Sequence, residues 1–153
     1  MRAGRIVTLV VAVVGLAGVL LVWLPHHRSE QEAERYRREV EADLRQDAAA
    51  FGERLLTAAG AGPVDGEVLR KLAEGLDVTY STGREAGTRV EFSYELTRPV
   101  GGALAFAPGS VALCYRETVH REAGRVVGSP VEIPCTELGA PLRPGESVRL
   151  PAG

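Results

Sequence analysis

The chain has 153 residues, 18 basic and 20 acidic side chains and a formal net charge of −2. Without an apolar run at residues 6–24 and its N-terminal flank, about 129 residues remain, with 16 basic against 20 acidic side chains. This remainder has room for one domain of ordinary size. Its mildly acidic balance and its few aromatic residues exclude the basic stripe and the stacking surface that are typical of nucleic-acid binding.

The run Ile6–Leu24 predicts a single membrane-spanning helix. Thr8 is its only polar residue, and its 19 residues approach the roughly 20 that a helix needs to cross the hydrocarbon core. Trp23 at one end, and Arg2 and Arg5 at the other, are residue types that flank such helices at the membrane interface. We therefore expect a membrane anchor with these three residues at its flanks.

A cleaved signal peptide is the alternative to a retained anchor. Its apolar core would usually span about 7 to 15 residues and end in a small-x-small site, whereas this run ends in Trp-Leu-Pro-His-His-Arg. Arginines lie on both sides of the run, but the very short N-terminal flank favours residues 1–5 in the cytoplasm. The sequence thus predicts a single-pass signal-anchor protein at the cell membrane, with its C-terminal domain outside the cytoplasm.

Residues 25–62 are predicted to form a linker and a long amphipathic helix. Pro25 should end the membrane span, and Ser29 with Glu32 fits a capping box that would start a second helix. Apolar residues then recur every three or four positions, as on one face of a helix: Tyr36, Val40, Leu44, Ala48, Phe51, Leu55 and Ala58. We expect the second half of this helix, Ala48–Ala58, to pack on the downstream domain; coiled-coil pairing with another chain is the alternative.

Residues 63–153 are predicted to form a mainly β extracytoplasmic domain. A short helix capped by Asp65 comes first, after which the apolar period changes to 2. The predicted strands are Leu76–Ser81, Val90–Thr97, Ala103–Ala107, Val111–His120, Val126–Pro134 and Ser147–Leu150, with a turn at Gly83–Gly87. Pro130 places its strand at a sheet edge. The predicted fold class is α+β, with the long helix packed on a small antiparallel sheet or sandwich.

Cys114 and Cys135 are the only cysteines. A type II′ turn at Gly124-Arg125 would pair residues whose numbers sum to 249, which puts the two cysteines opposite each other. This register favours a structural disulfide, as expected of an exported domain; two buried thiols are the alternative. A metal site would need four ligands and only His120 is near, and a redox pair more usually reads C-x-x-C.

No motif in the sequence predicts an enzyme. His26 and His27 lie at the predicted membrane exit and are interpreted as interfacial residues, and His120 is interpreted as a solvated residue at a strand end. The chain lacks a G-x-S-x-G elbow, a P-loop and a G-x-G-x-x-G loop. We therefore expect no catalytic residues, no metal site and no cofactor; an extracytoplasmic enzyme using His120 is the less favoured alternative.

The order of segments along the chain resembles that of two classes of protein. With Cys114-Tyr115-Arg116 and Pro134-Cys135 behind an N-terminal anchor, the chain resembles small uncharacterised membrane-anchored proteins of GC-rich actinobacteria, which implies a location but no activity. An apolar helix, an amphipathic continuation and a β domain with a disulfide are also similar to type IV pilin-like subunits. Gly4 before Arg5 resembles their processing site, although Arg5 and Leu9 replace its hydrophobic and acidic residues.

The function predicted from the sequence is that of a non-enzymatic, membrane-anchored envelope protein with an extracytoplasmic binding or interaction domain. The expected partners are the lipid bilayer and a protein or envelope polymer, with no nucleic acid. A type IV pilin-like or pseudopilin subunit is the alternative function.

Overall fold

The computed structural model describes the backbone of residues 2–100 and 109–151, and their side chains from residue 31 onward. The chain divides into two compact units, Met1–Arg38 and Glu39–Gly153. Within the part whose side chains are described, no helix is long and apolar enough to cross a membrane.

The membrane anchor predicted at Ile6–Leu24, with its flanking residues Arg2, Arg5 and Trp23, lies outside the described side chains. So do the side chains of His26 and His27. The strand predicted at Ala103–Ala107 lies wholly outside the described residues.

Helix α1 is assigned from Arg2 to Ala61, so the predicted helix end at Pro25 and the predicted new start at Ser29 are wrong. A proline removes one backbone donor and crowds the preceding turn. The neighbouring residues keep their own i to i−4 hydrogen bonds, and a helix can therefore continue past a proline.

The apolar stripe of α1 is buried from Val40 onward, which is earlier than the predicted start of packing at Ala48. Between Gln31 and Glu39 every side chain is exposed, and Tyr36 is 50% exposed. The buried positions of the helix, spaced by three or four residues, are Val40, Leu44, Ala48, Phe51, Leu55 and Ala59. This spacing places them on one face of the helix.

The rest of the domain is β, as predicted. After α1 come β1 Val64–Asp65, α2 Gly66–Leu72, β2 Val78–Ala86, β3 Arg89–Val100, β4 Gly109–Glu122, β5 Arg125–Ile133, a 3-10 turn Cys135–Glu137 and β6 Ser147–Val148. Strands β2 to β5 form one antiparallel sheet in chain order, and β1 pairs with β6 in a separate two-stranded ladder. The α+β class with a long helix on an antiparallel sheet is confirmed; a sandwich is not formed, because the second sheet is only a single ladder.

Two local predictions in this domain are confirmed. The Asp65 side chain caps α2, since its Oδ1 accepts a hydrogen bond from the Val68 backbone N–H at 2.8 Å. Strand β5, which contains Pro130, lies at an edge of the sheet. An edge strand pairs on one side only, so a residue without a backbone N–H can lie there without breaking the hydrogen bonds between inner strands.

The predicted turn at Gly83–Gly87 is wrong, because β2 continues to Ala86 and the hairpin turns at Gly87-Thr88. Gly83 is a strand residue that makes room for a neighbour: a Cβ at this position would lie 2.9 Å from the Phe92 ring and 3.0 Å from the Val148 side chain. Gly87 is the residue with a left-handed φ of +66°, as the first position of a type II′ turn requires.

The β4–β5 hairpin turns one residue earlier than predicted. Ala123 and Gly124 both have positive φ, +49° and +78°, as in a type I′ turn. Glu122 pairs with Arg125, so paired residue numbers sum to 247 rather than 249, and Cys114 lies opposite Ile133. The predicted register is therefore off by two residues.

Alternation along the strands divides the sheet into two faces. The inner face carries apolar side chains from β3 and β4, among them Phe92, Tyr94, Leu96 and Val119, all of which are at most 1% exposed. The Phe51 ring of α1 lies 4.8 Å from the Tyr94 ring, centroid to centroid. The buried stripe of α1 and the inner face of the sheet therefore share one core.

A charged cluster at the rim of this core also joins the helix to the sheet. The Arg98 guanidinium on β3 lies 2.7 Å from Asp43 Oδ2 and 3.8 Å from Asp47 Oδ2 of α1, and it also binds Asp77. The hydrogen bonds to Asp77 and then to Asp43 raise the pKa of Arg98. Since three carboxylates surround one arginine, we interpret this cluster as structural.

Leu55→Ala tests the packing of α1. Leu55 is fully buried, and truncating such a side chain leaves a cavity, so we expect the free energy of unfolding to fall by about 3 kcal/mol. Tyr36→Ala is the control on the same helix, with an expected change below about 0.5 kcal/mol. Urea denaturation of the full chain in micelles measures both, and equal losses in the two variants would contradict the packing.

Ala123→Gly tests the turn between β4 and β5. Ala123 holds a left-handed conformation that costs an L-residue about 1–2 kcal/mol, so we expect the glycine variant to be more stable by about 0.5–1 kcal/mol. Ala86→Gly, at an exposed strand position, should change stability in the opposite direction. Thermal unfolding measures the stability of both variants, and a loss of stability in Ala123→Gly would contradict the positive φ of Ala123.

Candidate functional site

The disulfide between Cys114 and Cys135 is present, as predicted, with a Cα–Cα distance of 5.2 Å. It forms although the two residues are not cross-strand partners, because the chain leaves β5 after Ile133 and Cys135 opens the 3-10 turn. Cys114 is only 1% exposed. The bridge thus fixes the start of the C-terminal segment, residues 135–151, to the central strand β4.

Hydrogen bonds hold this C-terminal segment against the outer face of the sheet. The Tyr80 hydroxyl donates to the Gly139 carbonyl, and the Thr82 hydroxyl donates to the Ala140 carbonyl at 2.6 Å. The Arg116 guanidinium donates to the Glu137 carbonyl at 3.1 Å. The outer face is therefore covered by irregular backbone, which leaves a groove between the segment and the strands.

The groove has a volume of about 520 Å³ and is lined by β2, β3, β4 and the C-terminal segment. Thr82 and Ser93 are buried at the sheet side. Three arginines and three glutamates line the groove: Arg84, Arg116, Arg143, Glu91, Glu137 and Glu146. The groove therefore carries balanced charge in a surface that is about half polar and half apolar.

The charges of the groove are arranged in pairs. Arg84 Nε donates to Glu91 Oε2 at 2.8 Å, and Arg116 Nη2 lies 3.6 Å from Glu137 Oε2. Exposed pairs of this kind contribute little to stability. However, a ligand carboxylate can replace the glutamate that pairs with an arginine, and a ligand cation can replace the arginine that pairs with a glutamate. The groove can therefore bind a ligand that carries both positive and negative charges.

A second unusual feature is the carboxyl group of Glu117, which lies on the inner face of the sheet. Glu117 is 1% exposed, and its Oε2 has no hydrogen-bond partner among the described residues. Two glycines make its slot: a Cβ on Gly52 of α1 would lie 3.0 Å from Oε2, and a Cβ on Gly128 of β5 would lie 2.5 Å from Oε1. Burial raises the pKa of Glu117 to about 7.

Tyr94 is the titratable neighbour of Glu117 on β3. Its hydroxyl is buried and has no hydrogen-bond partner within the described part of the chain. Burial first, and then the charges of Glu117 and Tyr115, raise the pKa of Tyr94. A buried polar group without a hydrogen-bond partner lowers the stability of a small domain, and this slot holds two such groups. The slot is therefore a candidate functional site as well as a packing feature.

Sequence reasoning missed Glu117, although the signal was present. In the predicted strand Val111–His120 the residues Val111, Leu113 and Tyr115 alternate and so share one face, and Glu117 is next in that alternation. An acidic residue at a position where strand alternation predicts a buried side chain is the pattern that should have identified Glu117.

The predicted candidate residues do not form one site. Cys114 and Cys135 are joined, whereas His120 lies on the outer face of β4, half-buried, with an Nδ1 that has no partner among the described residues. Strand alternation places Glu117 on the opposite face. In the part of the chain that the structure describes, no three potential metal ligands lie close enough to share an ion.

Comparison of the chain with protein-family models, with curated proteins and with solved structures finds no match.

A double-mutant cycle between Gly52 and Glu117 tests the slot. Glycine inside a helix costs about 1 kcal/mol relative to alanine, so Gly52→Ala should stabilise α1 wherever there is room for a Cβ. In the native chain the Glu117 carboxyl is in the way, and we expect no gain or a loss. In a Glu117→Ala background the same substitution should gain about 1 kcal/mol.

Urea denaturation of the four proteins at pH 5.5 measures this cycle. Ala49→Gly is a control for helix propensity alone, because that residue is on the same helix and its side chain is exposed. The effect of Gly52→Ala should depend on the residue at position 117. Identical effects in both backgrounds would show that the carboxyl does not occupy the slot.

Proposed function

We propose that the chain is a non-enzymatic, membrane-anchored binding protein whose domain lies outside the cytoplasm. The observation that carries the proposal is the Cys114–Cys135 disulfide, because structural disulfides persist in oxidising compartments and are rare in the cytosol. The apolar run Ile6–Leu24 supports a retained anchor that tethers this domain to the membrane.

The proposed ligand site is the groove beneath the C-terminal segment. Its lining is about half polar, its three arginines and three glutamates are balanced, and buried Thr82 and Ser93 add hydroxyl groups at its base. An extended peptide-like segment of an envelope protein or polymer, with carboxylate and ammonium groups, matches this surface. The disulfide holds one wall of the groove in place, so that less conformational freedom is lost when a ligand binds.

Binding is favoured over catalysis by the position of the titratable groups. Tyr94, Glu117 and His120 are the described titratable residues with buried atoms that lack a partner; Tyr94 and Glu117 lie on the inner face of the sheet and His120 on the outer face. Groups separated by a sheet cannot act on one substrate atom. The alternative of an enzyme that uses His120 is less favoured, because the buried Glu117 carboxyl is on the other side of the sheet and His120 Nδ1 has no hydrogen-bond partner among the described residues.

The compartment is tested with the full chain expressed in cells. We expect the protein in the membrane fraction, released only by detergent, with a mass under non-reducing conditions two hydrogens below that of the dithiol. The full-length chain in the soluble cytosolic fraction, with two free thiols, would contradict the proposal. The variant Cys114→Ser with Cys135→Ser should still reach the membrane, with unfolding free energy lower by about 3 kcal/mol.

The groove is tested by site-specific photocrosslinking in living cells. A photoreactive residue in place of Arg143 should crosslink a peptide-bearing polymer or an envelope protein, and Arg116→Ala in the same chain should reduce the yield. A photoreactive residue in place of Val131 is the matched control, because it is 58% exposed and does not line the groove. Equal crosslinking from both positions would refute the groove as the binding site.

A type IV pilin-like or pseudopilin subunit is the second candidate. It is favoured by an amphipathic helix packed on a four-stranded antiparallel sheet with a disulfide toward the C-terminus. This function requires cleavage after Gly4. N-terminal sequencing of the mature protein separates the two candidates, since the binding-protein proposal expects residues 1–5 to remain.

A further inference from the structure

Each element packed around the Glu117 carboxyl presents it with uncharged groups, of which the Tyr94 hydroxyl is the titratable one. Helix α1 contributes Gly52 and Leu56, and β5 contributes Gly128 and the cross-strand partner Pro130. Neighbouring β3 contributes Tyr94. These contacts enclose the carboxyl at the junction of three elements.

Charged groups on this side of the sheet lie around Tyr115, two residues along β4 from Glu117, at Arg121, four residues along the same strand face, and in the Arg98 cluster at the rim of the core. Arg45 of α1 and Glu132 of β5 act electrostatically on the Tyr115 hydroxyl. Burial raises the pKa of Tyr115, followed by the charge of Glu132. Burial is the only cause of the raised pKa of Glu117, so within the described residues no cation compensates its charge.

The neutral and charged forms of Glu117 therefore have different requirements. As a neutral acid, the group fits a buried slot between two glycines at moderate cost. As a carboxylate it must be hydrated or paired, and its Oε2 is buried without a hydrogen-bond partner among the described residues. The nearest solvent is at the edge strand β5, where Ser129 and Pro130 are exposed.

We propose that Glu117 is a proton-dependent switch for the seam between α1 and the β4–β5 hairpin. When Glu117 is protonated, α1 lies closed on the hairpin. When it ionises, water enters from the β5 edge and the seam opens, while β2 and β3 stay paired. The switch does not depend on the proposed binding function; a domain outside the cytoplasm would sense the pH of the surroundings.

The direction follows from proton linkage. Between the ordinary carboxyl pKa of 4.5 and the value of about 7 in the closed form, the closed form binds more protons than the open one. Its stability is therefore greatest at low pH and falls as pH rises through this window. Over the whole window the equilibrium constant for opening should rise by roughly 300-fold.

Two measurements on the native full chain in micelles test the switch. A ¹³C NMR titration of the Glu117 side chain should give a midpoint near 7. Amide hydrogen-exchange protection factors should fall at least tenfold from pH 5.5 to pH 8.5 in residues 45–59 and 126–132, and much less in 89–97. A midpoint below 5, or an equal loss of protection in all strands, would overturn the proposal.

Three variants assign the effect to this carboxyl. Glu117→Gln cannot ionise, so its protection factors should be the same at both pH values. Glu122→Gln removes an exposed acid from the same strand and should retain the native pH dependence. His120→Gln should also retain it, which shows that the effect does not come from that half-buried titratable side chain of β4. Native pH dependence in Glu117→Gln, or its loss in His120→Gln, would contradict the assignment.

Discussion

The packing of the α1 stripe against the inner face of the sheet is the interaction on which the domain depends. A four-stranded meander cannot bury its apolar face alone, and the β1–β6 ladder is too small to cover it. Phe51 and Leu55 of α1 lie among Phe92, Tyr94 and Leu96 in one core. Each such side chain contributes about 2 kcal/mol by burial, so without the helix the inner face would be exposed to water.

The two faces of the sheet are covered by different means, which explains why they offer different chemistry. The inner face is covered by a regular helix and is closed, and the polar group inside it lies in a slot made by Gly52 and Gly128. The outer face is covered by an irregular segment held by a disulfide and by hydrogen bonds to backbone carbonyls. Irregular backbone leaves gaps, and the polar groove is one of them.

The general architecture could be predicted because its signals are periodic. Helical spacing from Val40 to Leu55, alternation in β3 and β4 and the Asp65 cap are local patterns, and each is formed as expected. The turns were less predictable, because glycine has two roles: Gly83 accommodates the Phe92 ring inside a strand, whereas Gly87 provides the turn. One sequence does not distinguish these roles.

The details of the disulfide and of the buried acid Glu117 were also hard to predict from the sequence. The cysteines pair despite a register two residues from the predicted one, since Cys135 reaches Cys114 from a turn after β5 and not from a paired position. Glu117 could have been placed on the inner face from alternation alone. Its isolation could not, because that depends on Gly52 and Gly128, which approach it from distant parts of the chain.

Detecting the contact between Gly52 and Glu117 in solution is the most direct test of this account. In the full chain in micelles at pH 5.5, we expect nuclear Overhauser effects between the Gly52 α protons and the Glu117 side-chain methylene protons. These cross-peaks would place α1 over β4 with the acid enclosed beneath it. Their absence, together with a Glu117 side chain that exchanges freely with solvent, would contradict the account.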